Sequence, residues 1–216
     1  MSRADAAIWD RLAARYPAQE HLELRAIDAA LRLAAPQPDE RLVDLGTGTG
    51  LVLRRLAAAP HAPREAVGVD HSSAMLARVG TLPVSWHVLE QDARAVALPS
   101  AWADVVTCAY LLHLLESRER AAVLAGARRL LAGRPRPRLV AVTVFADRPA
   151  VAAVLRTLAR LRPSAWQALR PLDPTSDLVA AGFAVTRRAV LPRGGYPSLV
   201  VVAAPAVRPT MPGIGT

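Results

Sequence analysis

Apolar residues along this chain occur either in short continuous runs or at helical spacing, and the two patterns alternate. Leu42, Val43 and Leu45 form one such run, and others follow over Glu65–Asp70, 84–89, Val105–Ala109 and 139–145. Runs of this length, rich in valine and leucine, read as strands of a parallel sheet covered on both faces. Between them the spacing becomes helical. Residues 4–16 carry Ile8, Trp9, Leu12 and Tyr16 on one side, and Pro17 is expected to end that helix. Residues 20–33 place Leu22, Leu24, Ile27, Leu31 and Leu33 largely together, with Pro36 and Pro38 as the stop. Further helices are expected over 51–59, from Ser72 or Ser73 to Gly80, over 117–132 with Ser117 as cap, and over 175–181 behind Asp173-Pro174. Residues 183–191 and 199–204 read as a closing antiparallel hairpin. The alternation predicts an α/β fold, doubly wound around a mostly parallel seven-stranded sheet.

The most informative stretch joins the first strand to its helix: Arg41-Leu-Val-Asp-Leu-Gly-Thr-Gly-Thr-Gly50. Gly46, Gly48 and Gly50 let the backbone turn with positive φ and let a ligand approach without meeting a Cβ. The helix that follows aims amide N–H groups toward the turn. A dinucleotide fingerprint would be G-x-G-x-x-G, and Leu51 stands where its third glycine belongs. The spacing here is G-x-G-x-G with Asp44 two residues before it. Acids also close the next two strand regions, Asp70 about twenty residues beyond Gly50 and Asp92 in Glu90-Gln-Asp-Ala93.

This ordered set resembles the class I S-adenosylmethionine (SAM)-dependent methyltransferases, in particular the small-molecule branch that includes the quinone-biosynthesis enzymes. The resemblance implies a Rossmann-like fold in which two N-terminal helices cover the cofactor, and the Trp9 to Tyr16 pattern W-D-x-L-A-x-x-Y is similar to theirs. It implies that Asp44, Gly46, Thr47, Gly48 and Gly50 form the cofactor loop and that Asp70 takes the ribose hydroxyls. His71 and Met75, in D-H-S-S-A-M-L, would flank the adenine, with core and cap roles as the alternatives. Asp92 would accept from the adenine amino group beside the Ala93 N–H, whereas Arg94 carries no comparable argument. Ala109 and Tyr110 would wall the methyl site. His113 matches the first histidine of an L-H-H pattern whose second is Leu114 here, so it reads as either a general base or a structural residue. Tyr16, Tyr110, His113 and Trp166 are the candidate substrate contacts. Leu-Ala-Gly-Arg-Pro at 131–135 departs from the family's L-x-P-G-G corner.

Composition adds limits. With 216 residues, one α/β domain over 1–204 is expected: a helical cover over 1–36, a substrate-cover insertion over 148–172, and a disordered tail over 205–216. No run approaches a membrane span, and one cysteine, Cys108, excludes an internal disulfide; buried in an apolar strand, it reads as an inert thiol. Cytoplasm is the default compartment, and a monomer or homodimer the expected assembly. The formal charge is +9 and every basic residue is arginine. The arginines are scattered without interleaved aromatics, which ranks a solvated surface above a nucleic-acid footprint and a small molecule above RNA as substrate.

No metal-binding or nucleophile motif is expected to be needed, because the activated methyl of SAM supplies the reactivity and the protein supplies alignment and dryness. The product is S-adenosylhomocysteine (SAH). The chain also lacks the Asn/Asp-Pro-Pro-Tyr/Phe signature of amino-methylating enzymes, which favours an oxygen or carbon acceptor. RNA methylation, an NAD-dependent dehydrogenase and a non-catalytic SAM-binding module are the competing readings, the dehydrogenase disfavoured by Leu51.

Overall fold

A computed structural model describes residues 17–146, 170–191 and 197–206, together with the helical positions Ala153 and Thr157. Helix α1 spans Pro17–Ala34 and leads to strand β1, Arg41–Leu45. Helix α2 (Leu51–Ala57), β2 (Glu65–Asp70), the short α3 (Ser73–Leu76) and β3 (His87–Glu90) follow. Strand β4 (Val105–Ala109) runs into a 3-10 turn at Leu112–Leu114, then α4 (Ser117–Leu130) and β5 (Arg138–Val144). Helix α5 (Thr175–Ala180), β6 (Phe183–Leu191) and β7 (Ser198–Pro205) complete the described chain.

The seven strands form one sheet in the order β3-β2-β1-β4-β5-β7-β6. β1 to β5 pair in parallel, and β7 runs antiparallel to both β5 and β6. Alternation of side chains divides the core in two. Val43, Leu45, Val67, Val106 and Cys108 pack with Val123, Leu124 and Ala127 of α4 on one face. Leu42, Val105, Val140, Val142 and Val200 pack with Ile27 and Ala30 of α1 and Leu53 of α2 on the other. Chain order reverses at β1, whose neighbours are β2 and β4; in such sheets the crevice beyond the strand ends at this point receives the ligand.

Several boundaries differ from the sequence expectation. Pro17 begins α1, where its missing N–H costs nothing. The third strand starts at His87, because the Trp86 N–H donates to the Pro83 carbonyl at 2.9 Å in a turn that leaves Val84 fully exposed. Trp86 is still buried, its indole N–H donating to Pro63 O at 3.2 Å. Helix α3 stops at Leu76, four residues short of Gly80. Glu116 caps α4 in place of Ser117, and Glu119 returns a carboxylate oxygen to the Glu116 N–H at 3.1 Å. Strand β7 continues through Pro205, so the last strand overlaps the start of the expected tail. The helix over 4–16, with Trp9, Leu12 and Tyr16, lies outside the described residues, as do Trp166, most of 148–172 and 207–216.

At the opposite end of the sheet from the crevice, Asp104 ties the start of β4 to β1 and to the turn after α4. It accepts from the Arg41 N–H at 3.0 Å and from Arg134 at 2.6 and 2.8 Å. Burial alone would raise this carboxyl, but the Arg134 and Arg41 hydrogen bonds outweigh it and hold it below the usual carboxylate range. Its contribution is therefore present at neutral pH and lost as pH falls through that lowered value.

Candidate functional site

The glycine bend is built from backbone hydrogen bonds. The N–H groups of Gly46 and Thr47 both donate to Val69 O, at 2.8 and 3.0 Å, and the Gly48 N–H donates to a carboxylate oxygen of Asp70 at 2.8 Å. The other Asp70 oxygen accepts from the Ser72 N–H at 2.9 Å. Asp70 thus joins the bend after β1 to the bend after β2. Gly46, Gly48 and Gly50 have φ of 74°, 54° and 80°, a region that a side chain strains to occupy. Only at Gly48 is the space beyond the missing Cβ open; a Cβ at Gly46 would meet Leu111, and one at Gly50 would meet Val79.

Below the bend, Asp44 is 1% exposed. One oxygen accepts from the Thr107 hydroxyl at 2.6 Å, and Oδ2 is buried without a hydrogen-bond partner. Burial pushes its pKa up from an ordinary 3.8 to about 6; the Thr107 hydrogen bond opposes this, and the negative charge of Asp70 adds to it. The same burial, reinforced by Asp44, raises the Cys108 thiol, so this cysteine is inert as a nucleophile.

A cleft of about 660 Å³, counting its open mouth, lies over the ends of β1, β2 and β4. Gly46, Gly48, Asp70, His71, Met75, Asp92 and Ala93 form one side, and Ala109 and Tyr110 the floor. The structure therefore brings these nine sequence candidates together. Three others stand behind the wall. Asp44, Thr47 and Gly50 are absent from the lining, and Thr47 turns toward Gly68 of β2. His71 places Nδ1 3.5 Å from an Asp70 oxygen, with Nε2 buried and unpartnered. Tyr110 takes φ of 53°, a strained value for a residue with a side chain, and its hydroxyl lies 2.8 Å from Ser198 Oγ on β7.

His113 requires a correction. It is 3% exposed, stands edge-on to the Tyr110 ring with centroids 6.1 Å apart, and is not part of the cleft lining. The 3-10 turn presents Leu114 and Leu115 to the cleft and turns His113 inward, so a general-base role has no geometric support. The expected cover by the second helix also changes form. Helix α1 lies on the sheet face and lines none of the cleft, but Glu20 reaches the bend from behind, accepting from the Thr49 hydroxyl at 2.5 Å and from Arg54 at 2.7 Å.

Sequence reasoning missed Arg94, Leu111, Leu114, Leu115 and Val123 in the lining. It also missed Gly68, where a Cβ would sit 2.8 Å from Leu53 and 2.9 Å from Thr47. Gly68 is the β-register partner of Asp44, so this contact supports the bend from below. Gly68→Ala is expected to destabilise the fold by about 1–3 kcal/mol through overpacking. Urea unfolding checks it, and a change within 0.5 kcal/mol, about the scatter of neutral substitutions, would contradict the packing argument.

Several arginines of the described residues are held in ion pairs. Arg41, Arg54, Arg55, Arg94, Arg120, Arg134 and Arg138 each pair with an acid within 3.1 Å. Among the described residues there is no cluster of metal-ligating side chains, and no helix is long and apolar enough to cross a membrane.

Residues 42–133 match the family model described as a methyltransferase domain. No curated protein sequence matches. Among solved structures, a putative methyltransferase from Haloferax volcanii, determined in complex with the Trm112 methyltransferase activator, is similar with a TM-score of 0.72 at 16% identity; the match covers 94% of this chain and 98% of that one. Magnesium protoporphyrin IX methyltransferase from Synechocystis, with bound SAH, is similar with a TM-score of 0.62 at 20% identity, covering 88% and 87%. A putative methyltransferase from Bacillus halodurans gives 0.66 at 17%, covering 84% and 99%.

Proposed function

We propose that this chain is a class I SAM-dependent methyltransferase that transfers a methyl group to an oxygen or carbon of a small, largely apolar molecule. The observation that carries the reading is the convergence of Asp70, Asp92 and the open Gly48 bend on one cleft with an apolar inner wall. The residues fit an adenosyl group carrying positive charge. Asp70 sits beside the bend with acceptor capacity beyond its two backbone donors, since a carboxylate offers about four lone-pair sites. Asp44 adds a buried, incompletely paired carboxylate behind the wall.

In this reading Asp70 holds the ribose hydroxyls, Met75 and His71 border the base, and Asp92 with the Ala93 N–H reads the base edge. SAM, when bound, supplies the activated methyl group. The protein aligns and dries the site. Leu111, Leu114, Leu115 and Val123 exclude water from the inner wall, and Tyr110, fixed by Ser198 and His113, shapes the floor. His113, buried edge-on against Tyr110, has a packing role. An acceptor that arrives as a phenolate, enolate or electron-rich carbon needs no protein base at this wall. Tyr16 and Trp166 remain the proposed cover contacts, and the quinone-like class remains the proposed acceptor.

Calorimetric titration with SAM, SAH and NADH tests the reading. Saturable binding of SAM and SAH without binding of NADH is the expected result; NADH binding with no response to SAM would overturn it.

A further inference from the structure

Arg94 had no assigned part, yet it makes the densest set of polar contacts in the cleft wall. Its Nε lies 2.9 and 3.0 Å from the two Asp92 carboxylate oxygens, and Nη2 lies 2.5 Å from Oδ2. Its backbone N–H also donates to Asp92 Oδ1 at 2.9 Å. On the other side, Nη1 donates to Glu119 Oε1 at 2.6 Å. Glu119 is held in turn, because its second oxygen accepts from the Glu116 N–H at the start of α4. Asp92 and Arg94 both line the cleft, and α4 contributes Val123 to the same wall.

A lone aspartate in a loop rotates freely about χ1 and χ2, and fixing it for recognition costs rotamer entropy at binding. Here a planar guanidinium, itself anchored to a helix cap, fixes the carboxylate plane before any ligand arrives. The pairing fixes the direction of a carboxylate that lines the cleft. One guanidinium is shared between the Asp92 and Glu119 carboxylates, so the acceptor that the wall offers a base keeps negative character and a fixed direction.

We propose that Arg94 is a positioning residue that orients Asp92 to read the exocyclic amino group of adenine, making the Glu119-Arg94-Asp92 chain the determinant of base specificity in the cofactor site. The proposal rests on the reading of the cleft as an adenosyl site, and it goes beyond that reading by assigning discrimination to Arg94. Without Arg94, Asp92 would remain an acid near the base but would select for an amino group poorly.

The test compares calorimetric affinities for SAH and for S-inosylhomocysteine, which carries a carbonyl oxygen in place of the amino group. Wild-type protein is expected to prefer SAH by roughly tenfold or more, the ratio for one hydrogen bond to a charged acceptor. Arg94→Gln is expected to reduce that preference to within about threefold, chiefly by weakening SAH, because the oriented acceptor is lost. A role in packing alone would weaken both ligands equally and leave the ratio unchanged. Glu119→Ala, which spares the Asp92 contact and removes the anchor together with its bond to the Glu116 N–H, is expected to lower the ratio at least about twofold; it decides the matter if Arg94→Gln does not fold. A discriminating wild type whose ratio survives in the variants overturns the role of Arg94 and leaves the adenosyl site standing. A wild type that binds SAH but does not discriminate removes the base-reading role of Asp92 and the proposal with it. Absence of SAH binding overturns the reading of the cleft itself.

Discussion

Asp44→Asn is expected to stabilise the protein at pH 7.5 by about 3 kcal/mol relative to its effect at pH 4, from 1.4 kcal/mol per tenfold change in proton affinity. The sign follows from the direction of the displacement. Burial raises the Asp44 carboxyl from 3.8 to about 6, so between those values the folded state binds more proton than the unfolded chain. Stability contributed by this group therefore falls as pH rises through the window, and the full penalty is present above pH 6. Asparagine keeps an acceptor for Thr107 and does not ionise, so the penalty disappears. For a chain of this size the gain is a rise of roughly 6–12 °C in Tm at pH 7.5, measured by thermal unfolding of both proteins across the pH range. Parallel profiles for wild type and variant would show that Asp44 is not ionising under strain. The same variant is expected to bind SAM less tightly at pH 7.5, since the charge of the buried carboxylate would attract the sulfonium in the adjacent cleft.

Asp70→Ala is expected to weaken SAM binding by at least about 1.5–3 kcal/mol, the range for hydrogen bonds to a charged group. The structure adds a second consequence that the acid's place at a strand end did not reveal. Both oxygens already accept backbone N–H groups, from Gly48 and Ser72, so alanine also unties the glycine bend from β2. Stability should fall as well, by about 1–3 kcal/mol for the stranded donors. Asp70→Asn separates the effects, because its carbonyl retains one of the two backbone bonds while the carboxylate charge is lost. Calorimetry at one pH on all three proteins, with urea unfolding alongside, checks both parts. Affinity unchanged in the alanine variant would remove Asp70 from the ribose.

These two acids also show how far the sequence was readable. Strand ends, acids and glycines recur at spacings set by the fold, so β1, β2, β4 and the hairpin appeared almost residue for residue, and the candidates from Gly46 to Tyr110 that line the cleft were found by position. What stayed hidden depends on side-chain direction. His113 and Leu114 are neighbours in sequence, yet the 3-10 turn sends one inward and the other to the cleft. Arg94 carried no argument of its own because its anchor Glu119 is 25 residues away. Gly68 sits in an unremarkable strand, and only the approach of Thr47 and Leu53 gives it a reason. The early start of α1 and the late start of β3 turn on single backbone features, the missing N–H of Pro17 and the Trp86 N–H bonded to Pro83, which periodicity does not register.

The central claim is that the acid-lined bend between β1 and β2 grips an adenosyl group, and a crystal structure with SAH tests it most directly. The account predicts the ribose hydroxyls within hydrogen-bond distance of Asp70, the adenine amino group facing Asp92, and the sulfur above Ala109 and Tyr110. SAH bound elsewhere, or bound here with its ribose away from Asp70, would contradict it.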